Sequence, residues 1–459
     1  MGPTNDLCLG GTPGSAIGVT SLGKIRSQIG ECFTPVPAWR RAASSLPRSA
    51  RCLTGFATAA ILKILELAMR VYLDYNATTP VAPAVLEAML PFLGEDFGNA
   101  GSVHTPGQRA RAAVDSARES VAALLGAKPS EIVFTSGGTE ADNLALFGSV
   151  ALPAKPRKHV ITIAVEHHAI LHSCEELERQ GIDVTIVPIR DLQGLVDPEE
   201  IRRALRPESV LISVMHANNE LGVVQPIEEI GRIACEAGVR FHCDAVQSAG
   251  KVPLEVDRLG VDLLSISAHK FYGPKGVGAL YVRTGTPLAP RFFGGHAERD
   301  RRPGTENVPG IVGMGKAAEL ARSLLREDSE RISRLRDRLE TALLERVPLA
   351  RVNGDRARRV PNTTSMSFPG AGGEALVISL DLQGVACSTG AACSSGSTEP
   401  SHVLLALGLS RDEARSTLRF SLGRPTTSNE VDYAISVIPA AVERIRALSP
   451  REPQAIAAR

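Results

Sequence analysis

From Val71 onward, short apolar segments alternate with amphipathic ones, and this alternation constrains the fold more than any other feature of the chain. The apolar segments read as strands over Glu131–Thr135, His159–Val165, Asp183–Pro188, Val210–Met215, Val239–Cys243 and Leu263–Ser267. The segments between them have helical periodicity, for instance over Gln108–Leu125, Glu140–Val150, Ala169–Gln180, Pro198–Arg206 and Pro226–Ala237. Continuous apolar strands are typical of a sheet that is covered on both faces. The sequence therefore predicts an α/β fold around a mostly parallel sheet.

A second, smaller domain is expected after this alternation. A long charged helix is predicted from about Val312 to Val347, where arginine and glutamate are interleaved. Shorter strands and helices follow it, over Thr363–Phe368, Gly373–Gln383, Arg419–Leu422 and Glu430–Leu448. We expect a large domain at residues 80–327 and a small α+β domain formed by residues 69–79 and 328–459.

The first 68 residues differ from the rest of the chain. They are rich in Gly, Ser, Pro, Ala and Arg, and Asp6, Glu31 and Glu66 are their acidic residues. Met69, directly before the first clear strand, could itself be a start codon. The composition favours a disordered extension or a misassigned upstream start over a targeting peptide, which such acid-poor segments can also form.

Composition restricts the class of function. The chain has 459 residues and a formal net charge of +1, so no overall basic field attracts nucleic acid. The longest apolar run, Leu53 to Ala68, is short and contains Lys63 and Glu66, so no membrane span is predicted. The 8 cysteines are scattered without a CxxC pair, which fits a reducing compartment. We expect a cytoplasmic protein that binds neither nucleic acid nor membranes.

Lys270 and Asp244, at the ends of two predicted strands, indicate pyridoxal phosphate chemistry. Lys270 ends the apolar run that begins at Val261, where lost hydration is expected to lower the pKa of its ammonium group. An amine that can lose its proton can form a Schiff base. The carboxylate of Asp244, with Gln247 three residues further on, would keep a pyridinium nitrogen protonated. The alternatives are a surface lysine in a turn and an aspartate that caps a helix.

The segment Ser136-Gly137-Gly138-Thr139-Glu140 is a candidate phosphate site, because it follows a strand and opens a helix. Paired glycines let the backbone approach an anion, and a helix N-terminus supplies free N–H groups. The hydroxyl of Thr139 adds a donor, and Ser267 and His269, next to Lys270, are further candidates. The segment lacks the ending of a P-loop, and a simple capped helix start is the alternative.

His167 and Asn219 follow two other predicted strands. An imidazole at His167 could stack on a flat cofactor ring or carry protons near neutral pH. The pair formed with His168 could instead bind a metal, but no cysteine or acidic partner lies at ligand spacing, so no metal site is predicted. Asn219 could donate to a phenolate oxygen, with an Asx turn as the alternative.

A loop of small residues between Ala386 and Pro400 contains two cysteines. Such a segment is expected to be mobile, and an exposed cysteine on it can be a nucleophile if its pKa is lowered. Cys393 lies in the middle of the loop, whereas Cys387 follows apolar residues and is expected to be unreactive. Arg419, in a later strand, could hold a substrate carboxylate through two hydrogen bonds, or form a surface salt bridge.

These residues together resemble a known family. From Met69 to about Leu448 the chain is similar to the NifS/IscS-like cysteine desulfurases, pyridoxal phosphate enzymes of the class-V aminotransferase group. The resemblance lies in Tyr72-Leu73-Asp74-Tyr75-Asn76-Ala77-Thr78-Thr79-Pro80, Ser136-Gly137-Gly138-Thr139-Glu140-Ala141-Asp142-Asn143, Asn218-Asn219-Glu220, Asp244-Ala245-Val246-Gln247-Ser248, Ser267-Ala268-His269-Lys270, Arg302-Pro303-Gly304-Thr305-Glu306-Asn307 and the Cys393 loop.

The resemblance implies fold type I, in which helices sandwich a mostly parallel, seven-stranded type of sheet and a smaller α+β domain follows. It implies that Lys270 carries the cofactor as a Schiff base, that Asp244 pairs with the pyridinium nitrogen and that His167 stacks on the ring. Further roles are implied for a set of binding residues: Gln247 and Asn219 at the ring hydroxyl oxygen, Arg419 with Asn219 at the substrate, and Gly138, Thr139, Ser267 and His269 at the phosphate.

The resemblance also implies partners. Thr305 would reach the phosphate of the neighbouring subunit, which makes the active unit a homodimer. Cys393 would attack the sulfur of L-cysteine, leaving alanine and a persulfide on Cys393. The persulfide sulfur would pass to an acceptor, such as an iron–sulfur scaffold protein or a tRNA thiolase, and Cys393 would contact an iron–sulfur cluster transiently at most.

Other functions stay open at the level of sequence. A selenocysteine lyase would use the same residues on a different chalcogen. Another class-V enzyme, such as an aminotransferase or epimerase, would not need a thiol nucleophile. From a different class, a non-catalytic sulfur-relay scaffold would have no need of Lys270, Asp244, His167 and Cys393 together, and would be colourless instead of yellow.

Overall fold

The computed structural model describes residues 70–152, 157–390 and 399–448. The predicted extension at residues 1–68 lies outside the described residues, and so does Cys393. The described part groups as a single unit, so the predicted boundary near residue 327 stays a prediction. Within the described ranges, every helix is too short or too polar to cross a membrane.

The strands form three sheets, and in chain order they are β1 (Val71–Tyr72), β2 (Ile132–Thr135), β3 (His159–Ile163), β4 (Asp183–Val187), β5 (Ser209–Ser213), β6 (Arg240–Asp244), β7 (Leu263–Ser267), β8 (Gly278–Val282), β9 (Arg351–Asn353), β10 (Thr363–Ser367), β11 (Val385–Ala386), β12 (Ser388–Thr389) and β13 (Thr417–Ser421). The large sheet has seven strands in the order β2-β8-β7-β6-β5-β3-β4. A four-stranded sheet has the order β12-β13-β10-β9, and β1 pairs with β11. The predicted α/β fold and its seven-stranded sheet are therefore confirmed.

The helices, in chain order, are α1 (Pro83–Leu93), α2 (Thr105–Leu125), α3 (Gly138–Val150), α4 (His168–Arg179), α5 (Pro198–Ala204), α6 (Ile227–Ala237), α7 (Val256–Leu259), α8 (Val308–Arg346), α9 (Gly373–Asp381), α10 (His402–Ala406), α11 (Arg411–Arg415) and α12 (Ser428–Leu448). The start of α8 packs on α1 and α2, and its second half packs on α12. The long charged helix predicted from about Val312 to Val347 is therefore present as a helix of 39 residues, whereas its role as a link between two domains stays a prediction.

Strand β8 was absent from the predicted set. It lies between β2 and β7 and runs antiparallel to both. Its five residues are all buried, and the strand begins two residues after the glycine turn that ends at Gly276. An antiparallel strand needs no helical crossover, so the alternation of strands and helices gave no signal for it.

Because β2, β3, β5, β6 and β7 run in the same direction, their carboxyl ends meet at one edge of the large sheet. These strands are buried along their length, except for the half-buried Arg240 at the start of β6, and the first polar residues after them lie at that edge. Ligands of open α/β sheets bind at such an edge. The fold therefore gathers the predicted site residues that follow these strands.

Candidate active site

A cavity of about 370 Å³ opens where β2 turns into α3. Such a volume is in the range of cofactor sites. Eleven residues line it: Ala77, Thr78, Ser136, Gly137, Gly138, Thr139, Glu140, Ser267, His269, Lys275 and Gly276. The predicted phosphate residues Gly138, Thr139, Ser267 and His269 therefore share one cavity, to which Lys275 adds a positive charge that the sequence reasoning missed.

Close packing at the start of α3 keeps the floor of this cavity free of side chains. A Cβ atom at Gly138 would lie 2.6 Å from Cγ2 of Val246, closer than such atoms approach in proteins. The carboxylate of Glu140 accepts a hydrogen bond from the backbone N–H of Ser136 at 2.8 Å, and Arg302 Nε donates to the same carboxylate at 2.8 Å. The backbone of the turn is thus held in place at the edge of the cavity.

Lys270 lies on the 3-10 turn that directly follows β7. Its Nζ donates to the backbone carbonyl of Asn76 at 2.6 Å and to that of Ala77 at 2.9 Å. The amine is therefore held at the sheet edge by the segment that follows β1. The predicted fall in the pKa of Lys270 stays a prediction.

Asn76 connects the edge of the large sheet to the four-stranded sheet. Its place in the Asp74-Tyr75-Asn76 motif did not reveal this role. Its Nδ2 donates to the Asn219 carbonyl at 3.0 Å and to Thr363 Oγ1 at 2.8 Å. Its Oδ1 accepts from Asn362 Nδ2 at 2.9 Å and from Lys251 Nζ at 3.1 Å. Asn76 is 2 % exposed, so these bonds satisfy polar groups that water cannot reach.

Gln247 is fixed from both ends of its amide. Its Nε2 donates to the Asn76 carbonyl at 3.0 Å, and its Oε1 accepts from Lys251 Nζ at 2.8 Å. Burial, followed by the charges of Lys270 and Arg419, lowers the pKa of Lys251 well below its usual value. A second buried amine, missed by the sequence reasoning, therefore donates to the same asparagine as Lys270, and its pKa is shifted towards the neutral form.

Asp244 is buried at the end of β6, and its Oδ1 accepts from the Val246 N–H at 2.9 Å. Burial raises the pKa of Asp244 to about 6, against the opposing effects of that hydrogen bond and of Lys270. The carboxyl group is thus ionised above neutral pH. The structure therefore places an ionisable carboxyl group at the sheet edge, and its pairing with a pyridinium nitrogen stays a prediction.

Two further carboxyl groups, those of Asp142 and Glu166, are buried near Asp244. Burial, and then the charge of Asp244, raises the pKa of each well above its usual value. Glu166 Oε1 accepts from the Met215 N–H at 2.6 Å, whereas its Oε2 and Asp142 Oδ1 have no hydrogen-bond partner among the described residues. Both groups therefore favour the protonated form, which concentrates the negative charge on Asp244.

His167 caps the N-terminus of α4, because its Nδ1 accepts from the Ala169 N–H at 3.1 Å. Burial, followed by the charge of Lys270 and the neighbouring histidines, lowers the pKa of His167 to about 4. The ring is neutral at pH 7, and with Nδ1 as acceptor the proton resides on Nε2. Across the described residues, no three potential metal ligands come together.

His269 lies beside Lys270 and contacts Thr78, with Nδ1 3.2 Å from Thr78 Oγ1. Burial, followed by the charges of Lys270 and Lys275, lowers the pKa of His269 to about 4. The neutral ring can act as a hydrogen-bond donor in the cavity. It adds no charge of its own there.

Arg419 connects the small sheet to the site. It is 1 % exposed, and its Nη2 lies 2.5 Å from Asp74 Oδ1 while its Nη1 donates to the Asn219 carbonyl at 3.1 Å. Its Nε is buried and has no hydrogen-bond partner among the described residues. A buried donor of this kind is costly unless a further acceptor binds there.

The cavity is lined by four of the predicted site residues, Gly138, Thr139, Ser267 and His269. The other predicted residues that the structure describes, Lys270, Asp244, Gln247, His167, Asn219, Arg419 and Thr305, are not among its lining residues. Thr305 is exposed and does not line the cavity, so its contact with a neighbouring subunit stays a prediction. Cys393 lies outside the described residues. Cys387 is 8 % exposed, and burial raises the pKa of its thiol, as expected for an unreactive cysteine.

The comparisons with known proteins bear directly on this arrangement. The sequence profile described as Aminotransferase class-V matches residues 71–434. The chain belongs to the class-V aminotransferase family. Within that family it is 50 % identical over 380 residues to "Cysteine desulfurase IscS" of Dictyoglomus turgidum, an alignment that covers 83 % of this chain and 96 % of that protein. The family resemblance in the sequence is thereby confirmed.

Solved structures with similar sequences have the same fold as this chain. A "NIFS-LIKE PROTEIN" superposes with a TM-score of 0.77 at 40 % identity, over 82 % of this chain and 100 % of the other. The structure "SspA in complex with cysteine" superposes with a TM-score of 0.69 at 40 % identity, over 77 % of this chain and 98 % of the other.

Membership of the class-V family implies dependence on pyridoxal phosphate, and the residues at the sheet edge fit that group. The cavity next to Lys270 is lined by the backbone of Gly137 and Gly138 and by hydroxyl groups, which are groups that can bind a phosphate. A lysine amine, a carboxylate and a neutral imidazole lie after strands β7, β6 and β3 at the same edge of the sheet, in Lys270, Asp244 and His167. A Schiff-base lysine and a carboxylate are the protein groups that this cofactor requires.

Proposed function

We propose that the protein is a pyridoxal phosphate-dependent desulfurase that converts L-cysteine to L-alanine and carries the sulfur as a persulfide on Cys393. The observation that carries the proposal is the joint placement of Lys270, Asp244 and the glycine-walled cavity at one sheet edge. It is supported by 50 % identity to a cysteine desulfurase over most of both chains.

Each residue has a proposed part in holding the cofactor. Lys270 would bind it covalently, and Asp244 would hold a proton on the ring nitrogen. Gly138, Thr139, Ser267 and His269 would surround the phosphate, with Thr305 of a second copy completing a homodimeric site. His167 would stack on the ring, where its neutral form and its Nε2 proton suit contact with a substrate acid or thiolate.

The chemistry that bound pyridoxal phosphate supplies is withdrawal of electrons from the alpha carbon of the substrate. Arg419 would bind the substrate carboxylate through its partnerless Nε, with Asp74 and Asn219 holding the guanidinium in place. Asn219 and Gln247 would contact the ring hydroxyl oxygen, and Lys270 Nζ would take and return the proton at the alpha carbon.

Sulfur transfer would then fall to Cys393. Its thiolate sulfur attacks the sulfur of the substrate, so that an S–S bond forms as the carbon–sulfur bond of cysteine breaks. The electron pair of the broken bond stays with the carbon, which is protonated to give alanine. The persulfide would pass to an acceptor, for which an iron–sulfur scaffold protein or a tRNA thiolase is proposed. A cytoplasmic location stays a prediction.

The test measures alanine and sulfide release from L-cysteine with dithiothreitol, together with the visible spectrum. The wild type is expected to be yellow and to release both products in equal amounts. The Cys393→Ala variant should stay yellow and release no sulfide. Cys235→Ala is a matched control, because that thiol is free and exposed on α6, a helix that carries none of the predicted site residues, and the variant should behave like the wild type.

Two results would contradict the proposal. A colourless wild type would remove the cofactor assignment. A yellow wild type that releases selenide from L-selenocysteine but no sulfide from L-cysteine would move the function to a selenocysteine lyase.

A further inference from the structure

The side chain of Glu220 lies between the two described ends of the segment that contains Cys393. Glu220 is 4 % exposed and follows Asn219 directly. The Ser401 hydroxyl donates to Glu220 Oε2 at 2.5 Å. On the other side, a Cβ atom added to Gly390 would lie only 2.9 Å from the same oxygen, so the Gly390 backbone packs against this carboxyl group. One carboxyl oxygen therefore contacts the residues on both flanks of positions 391–398.

Ser401 transmits this contact to a helix. Its hydroxyl also accepts from the Leu404 N–H at 3.2 Å and so caps α10, whose first residue is His402. Fixing Ser401 thus fixes the start of α10, which is the first described helix after Cys393 in the sequence. Loss of the Glu220 contact would leave a buried serine hydroxyl without its acceptor.

The backbone of Glu220 is tied to the proposed substrate site. Its N–H donates to Asn218 Oδ1 at 2.9 Å, and the carbonyl of the preceding Asn219 accepts from Arg419 Nη1 at 3.1 Å. The same short turn therefore holds the arginine proposed for the substrate carboxylate and both flanks of the cysteine segment. The position of the Arg419 guanidinium and the positions of Gly390 and Ser401 therefore depend on the same turn.

The charges around Glu220 are few. Arg419, from β13, is the charged group that acts on it, and Asp74 pairs with that arginine. Burial raises the pKa of Glu220 to about 7, although the Ser401 hydroxyl and Arg419 both act to lower it. Both ionisation states keep an oxygen that can accept the serine hydrogen bond, so the contact does not depend on charge.

We propose that Glu220 is a positioning residue for sulfur transfer: by holding Gly390 and Ser401 together, it sets where the segment bearing Cys393 begins and ends relative to the substrate site. The inference rests on the proposed desulfurase function and extends it. Glu220 would act through Cys393 and would not itself touch the reacting atoms. Its removal should therefore slow persulfide formation without impairing the binding of L-cysteine.

The experiment separates these two steps in a single turnover of the full-length enzyme with bound cofactor. Binding of L-cysteine is followed by the change in the visible spectrum, and persulfide formation by mass spectrometry of the quenched protein. Glu220→Ala is expected to keep the spectral change within about twofold and to slow persulfide formation about tenfold or more, because the buried Ser401 hydroxyl loses its acceptor. Glu220→Gln keeps an accepting oxygen and should restore most of the rate.

Two serine variants complete the design. Ser401→Ala removes the hydroxyl and leaves the carboxyl group, and it should show the same selective loss even if Glu220→Ala fails to fold. Ser410→Ala is the matched control, because Ser410 caps the neighbouring short helix α11 through the Glu413 N–H and has no contact with Glu220. It should form persulfide at the wild-type rate.

Three outcomes would overturn the inference. Persulfide formation at the wild-type rate in both Glu220→Ala and Ser401→Ala would show that the contact does not matter. A glutamine variant no better than the alanine variant would exclude the accepting oxygen as the cause. An equal loss in Ser410→Ala would assign the effect to general helix capping. A wild type without turnover on L-cysteine would instead refute the desulfurase function itself, and the positioning role with it.

Discussion

Replacing Glu220 with glutamine should change how the stability of the protein depends on pH. Burial holds the folded-state pKa of this carboxyl group at about 7, compared with a value of 4.5 for an unperturbed glutamate. Between these values the folded state keeps a proton that the unfolded state has lost, so the stability of the wild type falls as pH rises. The difference of about 2.5 pKa units corresponds to about 3 kcal/mol at 1.36 kcal/mol per unit.

Glutamine has nearly the same shape and cannot ionise, so the variant lacks this loss. We expect the free energy of unfolding of the variant, relative to the wild type, to increase by about 3 kcal/mol between pH 4.5 and 7.5 and to level off above that. Urea unfolding of both proteins at half-unit pH intervals measures the difference, and contributions from other titrating groups cancel in it.

Glu413→Gln provides a control of opposite sign. Backbone and side-chain hydrogen bonds from Ser410 lower the pKa of Glu413, so its contribution to stability is present above the usual glutamate pKa and is lost as pH falls. A Glu220→Gln difference that stays constant across the pH range would refute the reasoning. It would mean that the carboxyl group ionises as easily in the folded protein as in water.

Three further predictions concern packing, cofactor and substrate. Glu298→Ala leaves the buried guanidinium of Arg118 without the carboxylate that its Nη2 contacts at 2.6 Å. This change should lower the free energy of unfolding by about 3–5 kcal/mol, measured by urea unfolding. A loss below about 1 kcal/mol would contradict the prediction. Gly138→Ala forces a Cβ atom against Val246 and should weaken pyridoxal phosphate binding about tenfold. Retention of the yellow colour on dialysis measures the binding, and full retention would argue against this placement of the phosphate. Arg419→Lys removes the planar set of donors and should lower kcat/KM for L-cysteine about tenfold to a hundredfold in the alanine-release assay, mainly by raising KM. An unchanged KM would exclude a role of Arg419 in substrate binding.

Much of the site could be predicted from the sequence, because strand order and chain direction are local properties. Asp244, Lys270 and the glycine turn before Thr139 each follow an apolar strand directly, and parallel strands bring such ends to one edge. The type of each residue indicates its chemistry, so a carboxylate, an amine and a glycine turn could be expected together at this edge. Strand β8 was missed because it makes an antiparallel pair that leaves no mark in the alternation.

Contacts between residues far apart in the sequence were decided only by the tertiary structure. Asp74 and Arg419 are separated by 345 positions, and Ser401 and Glu220 by 181, so no local pattern relates them. The pKa values near 4 at His167 and near 7 at Glu220 arise from burial, which depends on the whole fold. The sequence by itself determined which groups reach the sheet edge, whereas tertiary packing determined their charge, their partners and their exposure to water.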